Sequence, residues 1–333
     1  MEHRRSVRVG LTAIFCAVLV RLWAWGLPER IAALLARPET GAFLTYLETG
    51  KKWAPTPEEP EPEPVNLVFG AESPPPYIPE PVLPVFAAGE AEAIRLYNTS
   101  SKQPDMGSLL TQPLSWDLTE GDPAVLILHT HSTESYTKNG ENYAESSSYR
   151  TLDENYNMLS IGAYVAALLE EAGIAVVQDR ELHDYPSYNG SYVDARGSIQ
   201  QYLEAHPSIR LVLDLHRDAA GTVGNQLRTL AEVEGQASAQ LMLVMGTNYD
   251  TWQQNLSLAL KLQLQLESQA PGITRPICLR SSRFNQDLCP GALLVEVGAA
   301  GNTRTEALLA ADQLAQAIIA LARGTECGSE ISP

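Results

Sequence analysis

The sequence predicts an α/β fold, a mainly parallel sheet covered by helices, and three observations carry that prediction. Five short runs rich in Leu, Val and Ile, at 124–128, 174–177, 211–215, 241–245 and 293–297, have the length and composition of buried strands. Helical stretches at 156–172, 192–205, 252–269 and 303–323 are interleaved with them or follow them. The last of these opens on Thr303-x-x-Glu306, a capping box, which fixes where it starts. Strands that alternate with helices have crossovers long enough for parallel pairing, and apolar runs without polar alternation belong to a sheet covered on both faces.

Taken in chain order, the first segment is 1–30. After Arg4, Arg5 and Arg8, residues 9–27 are mostly apolar, with Arg21 as the only charge. At about 1.5 Å per residue such a run spans roughly 30 Å of hydrocarbon. The basic start stays cytoplasmic by the positive-inside rule, which places the rest of the chain outside. A retained single-pass anchor in the cell membrane is the expectation, and a cleaved signal peptide the alternative. Residues 31–119 are expected to form an extracytoplasmic lead-in. Within 54–90 lie seven Glu, 11 of the 22 prolines and no Lys or Arg. Proline without apolar periodicity favours extended polyproline II, and like charges stretch it, so 54–84 is expected to be a stalk. The α/β domain is expected over 120–325 and a short tail over 326–333.

The helix ends are punctuated as the fold requires. The first closes at Gly173, the second stops before Pro207 and the third before Pro271. A net charge of -17 argues against a nucleic-acid partner, which would need cations to meet phosphates. The four cysteines form no C-x-x-C pair, which excludes a cysteine zinc site. Free thiols are expected at Cys278 and Cys289.

Ligands of open α/β sheets bind past the carboxyl ends of strands. There the chain reads His129-Thr-His131-Ser-Thr-Glu134-Ser-Tyr, then His216-Arg217-Asp218, and it places Glu296 between two valines. His129 and His131 share a face if the chain runs on extended. Glu296 is costly to bury unless a metal, a proton or a cation such as Arg196 or Arg217 accompanies it. Hydrolytic zinc takes three protein ligands, His and carboxylate where thiolate is absent. Asp214, two residues before His216, shares its strand face and is placed to hold the second imidazole nitrogen. Arg196 and Arg217 are candidates for binding substrate carboxylates.

These segments, with Tyr185-Pro-Ser-Tyr-Asn, Asp214-Leu-His-Arg-Asp218, Asn285-Gln-Asp-Leu and Leu294-Val-Glu-Val-Gly298, together resemble the stage II sporulation protein P family over about 122–323. That family is similar to the zinc-dependent N-acetylmuramoyl-L-alanine amidases of bacterial cell walls. The resemblance implies their phosphorylase/hydrolase-like fold, zinc on His129, Glu134 and His216, and Glu296 as the carboxylate that takes a proton from the attacking water. His131 is the rival to Glu134 for the third place, and related amidases would put a ligand near Asp153 and Glu154. The resemblance further implies peptidoglycan as substrate, cleavage of the N-acetylmuramoyl-L-alanine amide and of peptide cross-links during engulfment, and stage II sporulation proteins D and M as partners. A serine hydrolase is the first competing reading, but the chain has no G-x-S-x-G elbow. A non-catalytic wall-binding scaffold is the second, and it would have no use for Glu296.

Overall fold

The computed structural model describes residues 86–113, 117–119, 122–137, 149–222 and 225–324. The expected anchor, the whole of the expected stalk at 54–84 and the tail lie outside the described residues. Along the chain come β1 (Leu96–Asn98), α1 (Met106–Thr111), β2 (Val125–Leu128), α2 (Met158–Glu171), β3 (Val176–Gln178), α3 (Ser191–Ala205) and β4 (Leu211–Asp218). Two small hairpins follow, β5 (Gly221–Thr222) with β6 (Asn225–Gln226) and β7 (Leu230–Val233) with β8 (Gln236–Ala239). The chain then forms β9 (Leu241–Gly246), α4 (Trp252–Gln269), β10 (Ile277–Arg280), β11 (Ala292–Ala299) and α5 (Arg304–Arg323).

Seven strands make one sheet in the order β1-β10-β9-β11-β4-β2-β3. Every neighbouring pair is parallel except β9 and β11, so two parallel blocks meet at one antiparallel seam. All five expected strands and four expected helices are present, with ends shifted by a few residues. Two strands of this sheet were not expected, nor were the four of the small hairpins. β10 is short and carries Arg280, and β1 lies in the segment read as a lead-in, where three residues give no periodicity to read. That segment is therefore part of the fold upstream of residue 120: β1 pairs with β10, and α1 buries Leu109 and Leu110.

Alternation along the strands sets which face does what. Val125, Ile127, Leu213, Leu215, Val295 and Leu243 point into the main core, which α2, α4 and α5 cover. Leu126, Leu128, Val212 and Ala292 point the other way, against Ala195 and Ile199 of α3. The same parity carries Asp214, His216 and Glu296 onto this second face, past the cover of that helix. Among the described residues α5 alone is long and apolar enough to cross a membrane, but Leu314, Ile318 and Leu321 are buried within the core. Its start carries the expected capping box, Thr303 Oγ1 accepting from the Glu306 N–H at 3.3 Å and Glu306 Oε2 from the Thr303 N–H at 3.1 Å. Cys278 and Cys289 are buried free thiols.

Candidate metal centre

His129, expected as a ligand, is a core histidine. It follows β2 on the core face, where burial lowers its pKa to about 4 and keeps it neutral. Its Nδ1–H donates to the Leu215 carbonyl at 3.0 Å, and its Nε2 accepts from Gln178 Nε2 at 3.1 Å. Both ring nitrogens are thus committed inside the protein. Extended chain ends here, so His131 does not share its face. A turn intervenes, pinned to β4 by Thr130, whose N–H and hydroxyl donate to Asp214 Oδ1 and Oδ2 at 2.8 and 2.7 Å.

The turn delivers His131 and Glu134 to His216. His131 Nδ1 lies 3.6 Å from Glu134 Oε1, and His216 Nδ1 lies 3.7 Å from Glu134 Oε2. One donor atom from each of the three residues falls within 4.8 Å of the others. The other nitrogen of His216, Nε2, is 2.8 Å from Asp214 Oδ1, as the shared strand face required. Glu296 pairs in register with His216 across β11 and β4, which puts both on one face. Its Oε2 is buried and has no hydrogen-bond partner. No ion pair with Arg196, Arg217 or another cation is present for it among the described residues.

Electrostatics hold the group together. Burial works to raise the Glu134 carboxyl, but Arg217, His216 and His131 outweigh it and hold the group well below the usual carboxylate range. Burial lowers His131 to about 4. In His216 burial is overcome by Asp214 and Glu134, which push its pKa well up. Glu296 is raised to about 8, by burial first, with His216 opposing and Glu134 and Asp218 adding to the rise.

The two arginines face other partners than those expected. Arg217 is buried, its Nε and Nη2 donating to the Ser135 and Tyr149 carbonyls at 3.1 and 2.9 Å and its backbone N–H to Glu134 Oε2 at 3.2 Å. It braces the Glu134 segment from behind. Arg196 makes a fork on Asp287, at 2.9 and 2.7 Å, so its carboxylate partner is internal. Glu154 pairs with Arg180 at the surface, away from the group.

Residue-by-residue reading missed Arg150, Asp184, Tyr188 and Tyr192. Asp184 accepts from the Ser132 hydroxyl (3.2 Å) and from the Thr133 N–H and hydroxyl (3.1 and 2.7 Å), and it pairs with Arg150. Arg150 Nη2 in turn reaches Glu134 Oε1 at 3.2 Å. Tyr188 stacks on the His131 ring, centroids 4.6 Å apart, and Tyr192 meets it edge-on at 5.6 Å. Two of these four lie in or beside the Tyr185-Pro-Ser-Tyr-Asn segment, the only signal in the sequence for them.

The donor set suits zinc. Tetrahedral zinc with N and O donors at about 2.1 Å sets those donors roughly 3.4 Å apart. The separations of 3.6 and 3.7 Å, each to a different oxygen of Glu134, are too long for hydrogen bonds, and one donor atom from each residue lies within 4.8 Å of the others, close enough to close on one ion. The fold and the site together define a mainly parallel α/β protein whose strand ends gather two histidines and two glutamates. By its sequence the chain belongs to the Stage II sporulation protein P family, which matches residues 86–319. It is 27% identical over 211 residues to "Stage II sporulation protein P" of Bacillus subtilis (strain 168), covering 59% of this chain and 51% of that protein. The chain thus spans about half the length of that curated relative. Among solved structures it is similar to N-acetylmuramoyl-L-alanine amidase AmiC2 of Nostoc punctiforme, at 15% identity and a TM-score of 0.36, over 59% of this chain and 94% of that one. The CwlD amidase from Clostridioides difficile, in complex with the GerS lipoprotein, is similar at 16% identity and a TM-score of 0.37, over 60% and 94%.

Proposed function

We propose that this chain is a sporulation peptidoglycan hydrolase that uses zinc held by His131, Glu134 and His216 to cleave the amide between N-acetylmuramic acid and L-alanine. The observation that carries the reading is the approach of two imidazole Nδ1 atoms to the two oxygens of one buried carboxylate. The chemistry that zinc supplies in such a site is polarisation of a carbonyl and acidification of a water. The protein's own groups do the rest. Asp214 Oδ1 lies 2.8 Å from His216 Nε2, and this charge contact keeps Nδ1 turned toward the centre. Arg150 and Arg217 fix Glu134. Glu296 Oε2 is buried and unpartnered beside His216; with a cation in the centre to offset the burial that raises its pKa, it would accept the proton of the attacking water and return it to the leaving nitrogen.

In this reading the domain acts outside the membrane, carried by an anchor at 1–30 and a Pro/Glu stalk at 54–84, and works with stage II sporulation proteins D and M. Cleavage of peptide cross-links is a further activity of the same centre. Mass spectrometry of purified peptidoglycan digested by the chain identifies the bond broken. Free L-alanine amino termini should appear with zinc, vanish with chelator and return on zinc addition. Glu296→Gln should keep the metal and lose activity by at least about a hundredfold, the scale of a general acid–base group. Full activity in that variant, or in chelator, would refute the mechanism.

A further inference from the structure

Tyr188 combines two properties that rarely coincide: it is 54% exposed, and its ring is held in place. The ring stacks on His131 with the planes 29° apart, and the Arg150 guanidinium carbon lies 4.8 Å from its centroid. His131 and Arg150 both approach the same oxygen of Glu134, at 3.6 and 3.2 Å. Both approach the ring from the side of Glu134, and more than half of the residue is left open to solvent. Arg150 is itself anchored on Asp184, which ties down the Ser132–Thr133 turn. An exposed tyrosine ordinarily loses rotamer freedom when it binds, and this one has already lost it.

We propose that Tyr188 is a saccharide platform, its open side receiving the apolar face of a pyranose ring of the glycan. The inference rests on the hydrolase reading above and names the part of the substrate that binds there. A pyranose presents C–H groups polarised by the ring oxygens, and the face of an aromatic ring carries the negative end of its quadrupole. The muramoyl ring is joined to the scissile carbonyl through a lactyl ether, three bonds away. A carbonyl brought to His131, Glu134 and His216 thus leaves its sugar within stacking reach of the aromatic ring that lies against His131. The two arginines that the sequence offered as readers of peptide carboxylates are bound to Asp287 and to the Glu134 segment, so recognition on this side falls to the aromatic surface.

The test compares the full chain with its Tyr188→Leu and Tyr188→Trp forms on two soluble substrates, a disaccharide-bearing muropeptide and the matching N-lactyl peptide without the pyranose. Tyr188→Leu should lower the kcat/KM preference for the sugar-bearing substrate about tenfold, mainly through KM, and Tyr188→Trp should restore it. Bound zinc should be equal in all three. An equal loss on both substrates, or a loss of zinc in Tyr188→Leu, would mean that Tyr188 acts only by holding His131, and the proposal fails. A binding measurement separates this outcome from failure of the hydrolase reading. Saturation-transfer NMR with free N-acetylglucosaminyl-N-acetylmuramic acid should show binding to the wild type that Tyr188→Leu loses, whether or not amide cleavage is found. No binding to the wild type, or equal binding to both, overturns the platform.

Discussion

His129 and His131 show how far a residue can be read without its neighbours. Two residues apart they share a face only while the strand continues, and β2 stops at Leu128. His129 keeps the strand's parity and enters the core; His131 is carried by the turn to Glu134. His131→Ala should therefore remove most bound zinc, measured by metal analysis of purified protein. His129→Ala should keep its zinc and lose about 1–3 kcal/mol of stability in denaturant titration, because the Leu215 carbonyl loses its imidazole donor in a buried place and the Gln178 amide keeps only the Leu159 carbonyl. Loss of zinc with retained stability in His129→Ala would reverse the assignment. Glu296 was legible because a carboxylate flanked by valines in a strand demands an explanation. Glu134 was not, since nothing but the family resemblance distinguishes it from any other turn glutamate. Lys261 was missed for the opposite reason, being one cation in an amphipathic helix. It is buried, donates to the Leu109 carbonyl at 3.0 Å and to Ser257 Oγ at 2.7 Å, and burial lowers its pKa from 10.5 to about 8. Between those values the unfolded chain binds the extra proton, so stability should rise with pH across about 8 to 10.5, by at most about 1.4 kcal/mol per unit, and be penalised in full below 8. Lys261→Met should flatten that rise relative to wild type, and identical pH profiles would contradict the assignment.

At the scale of elements, what the sequence made legible was composition and period, and what it hid was direction and closeness. Apolar runs marked five strands, but no pattern in 241–245 says that β9 runs against β11. That seam is set by where the hairpins and α4 return the chain, which is tertiary information. Closeness is the second hidden quantity. Gly162 sits inside α2, where glycine costs about 1 kcal/mol relative to alanine and so looks like a weak point. Its reason is packing: a Cβ there would lie 2.4 Å from His129 Nε2 and 2.5 Å from Gln178 Nε2. Helix α2 approaches the ends of β2 and β3 only because that atom is missing. Gly162→Ala should therefore destabilise the protein by about 1–3 kcal/mol despite its better helix propensity, by displacing the His129–Gln178 pair. A thermal melt decides the sign, and a higher Tm would show that the helix relaxes freely.

Over the whole molecule, the boundary at residue 120 that composition suggested and the limits of the sheet do not coincide. Three residues of β1 close the outer edge, Leu96, Tyr97 and Asn98 opposite Ile277, Cys278 and Leu279. Further hydrogen bonds join the Thr99 N–H to the Leu279 carbonyl and the Ile277 N–H to the Arg95 carbonyl, at 2.9 and 2.8 Å. Behind this strand α1 packs on α4, burying Leu109 and Leu110 and giving the Leu109 carbonyl to Lys261. Removing everything before 120 would expose β10 as an open edge, a template for association with other chains, and leave the Lys261 ammonium with Ser257 alone. The candidate metal group, His131, Glu134 and His216, sits on β4 and the turn after β2, with β10, β9 and β11 between it and β1, so its local geometry does not depend on the lost strand. A fragment starting at 86 should consequently unfold cooperatively and bind zinc. One starting at 120 should melt at a lower temperature and aggregate at concentrations where the longer fragment stays monomeric, a comparison open to calorimetry and light scattering. Chelating the metal should do neither, because the core of the sheet is apolar and complete without it, so the apo form should keep its far-ultraviolet circular dichroism while losing hydrolysis. Equal melting of the two fragments would show β1 and α1 to be an appendage of the sheet, and unfolding on chelation would show the metal to be a structural element of it.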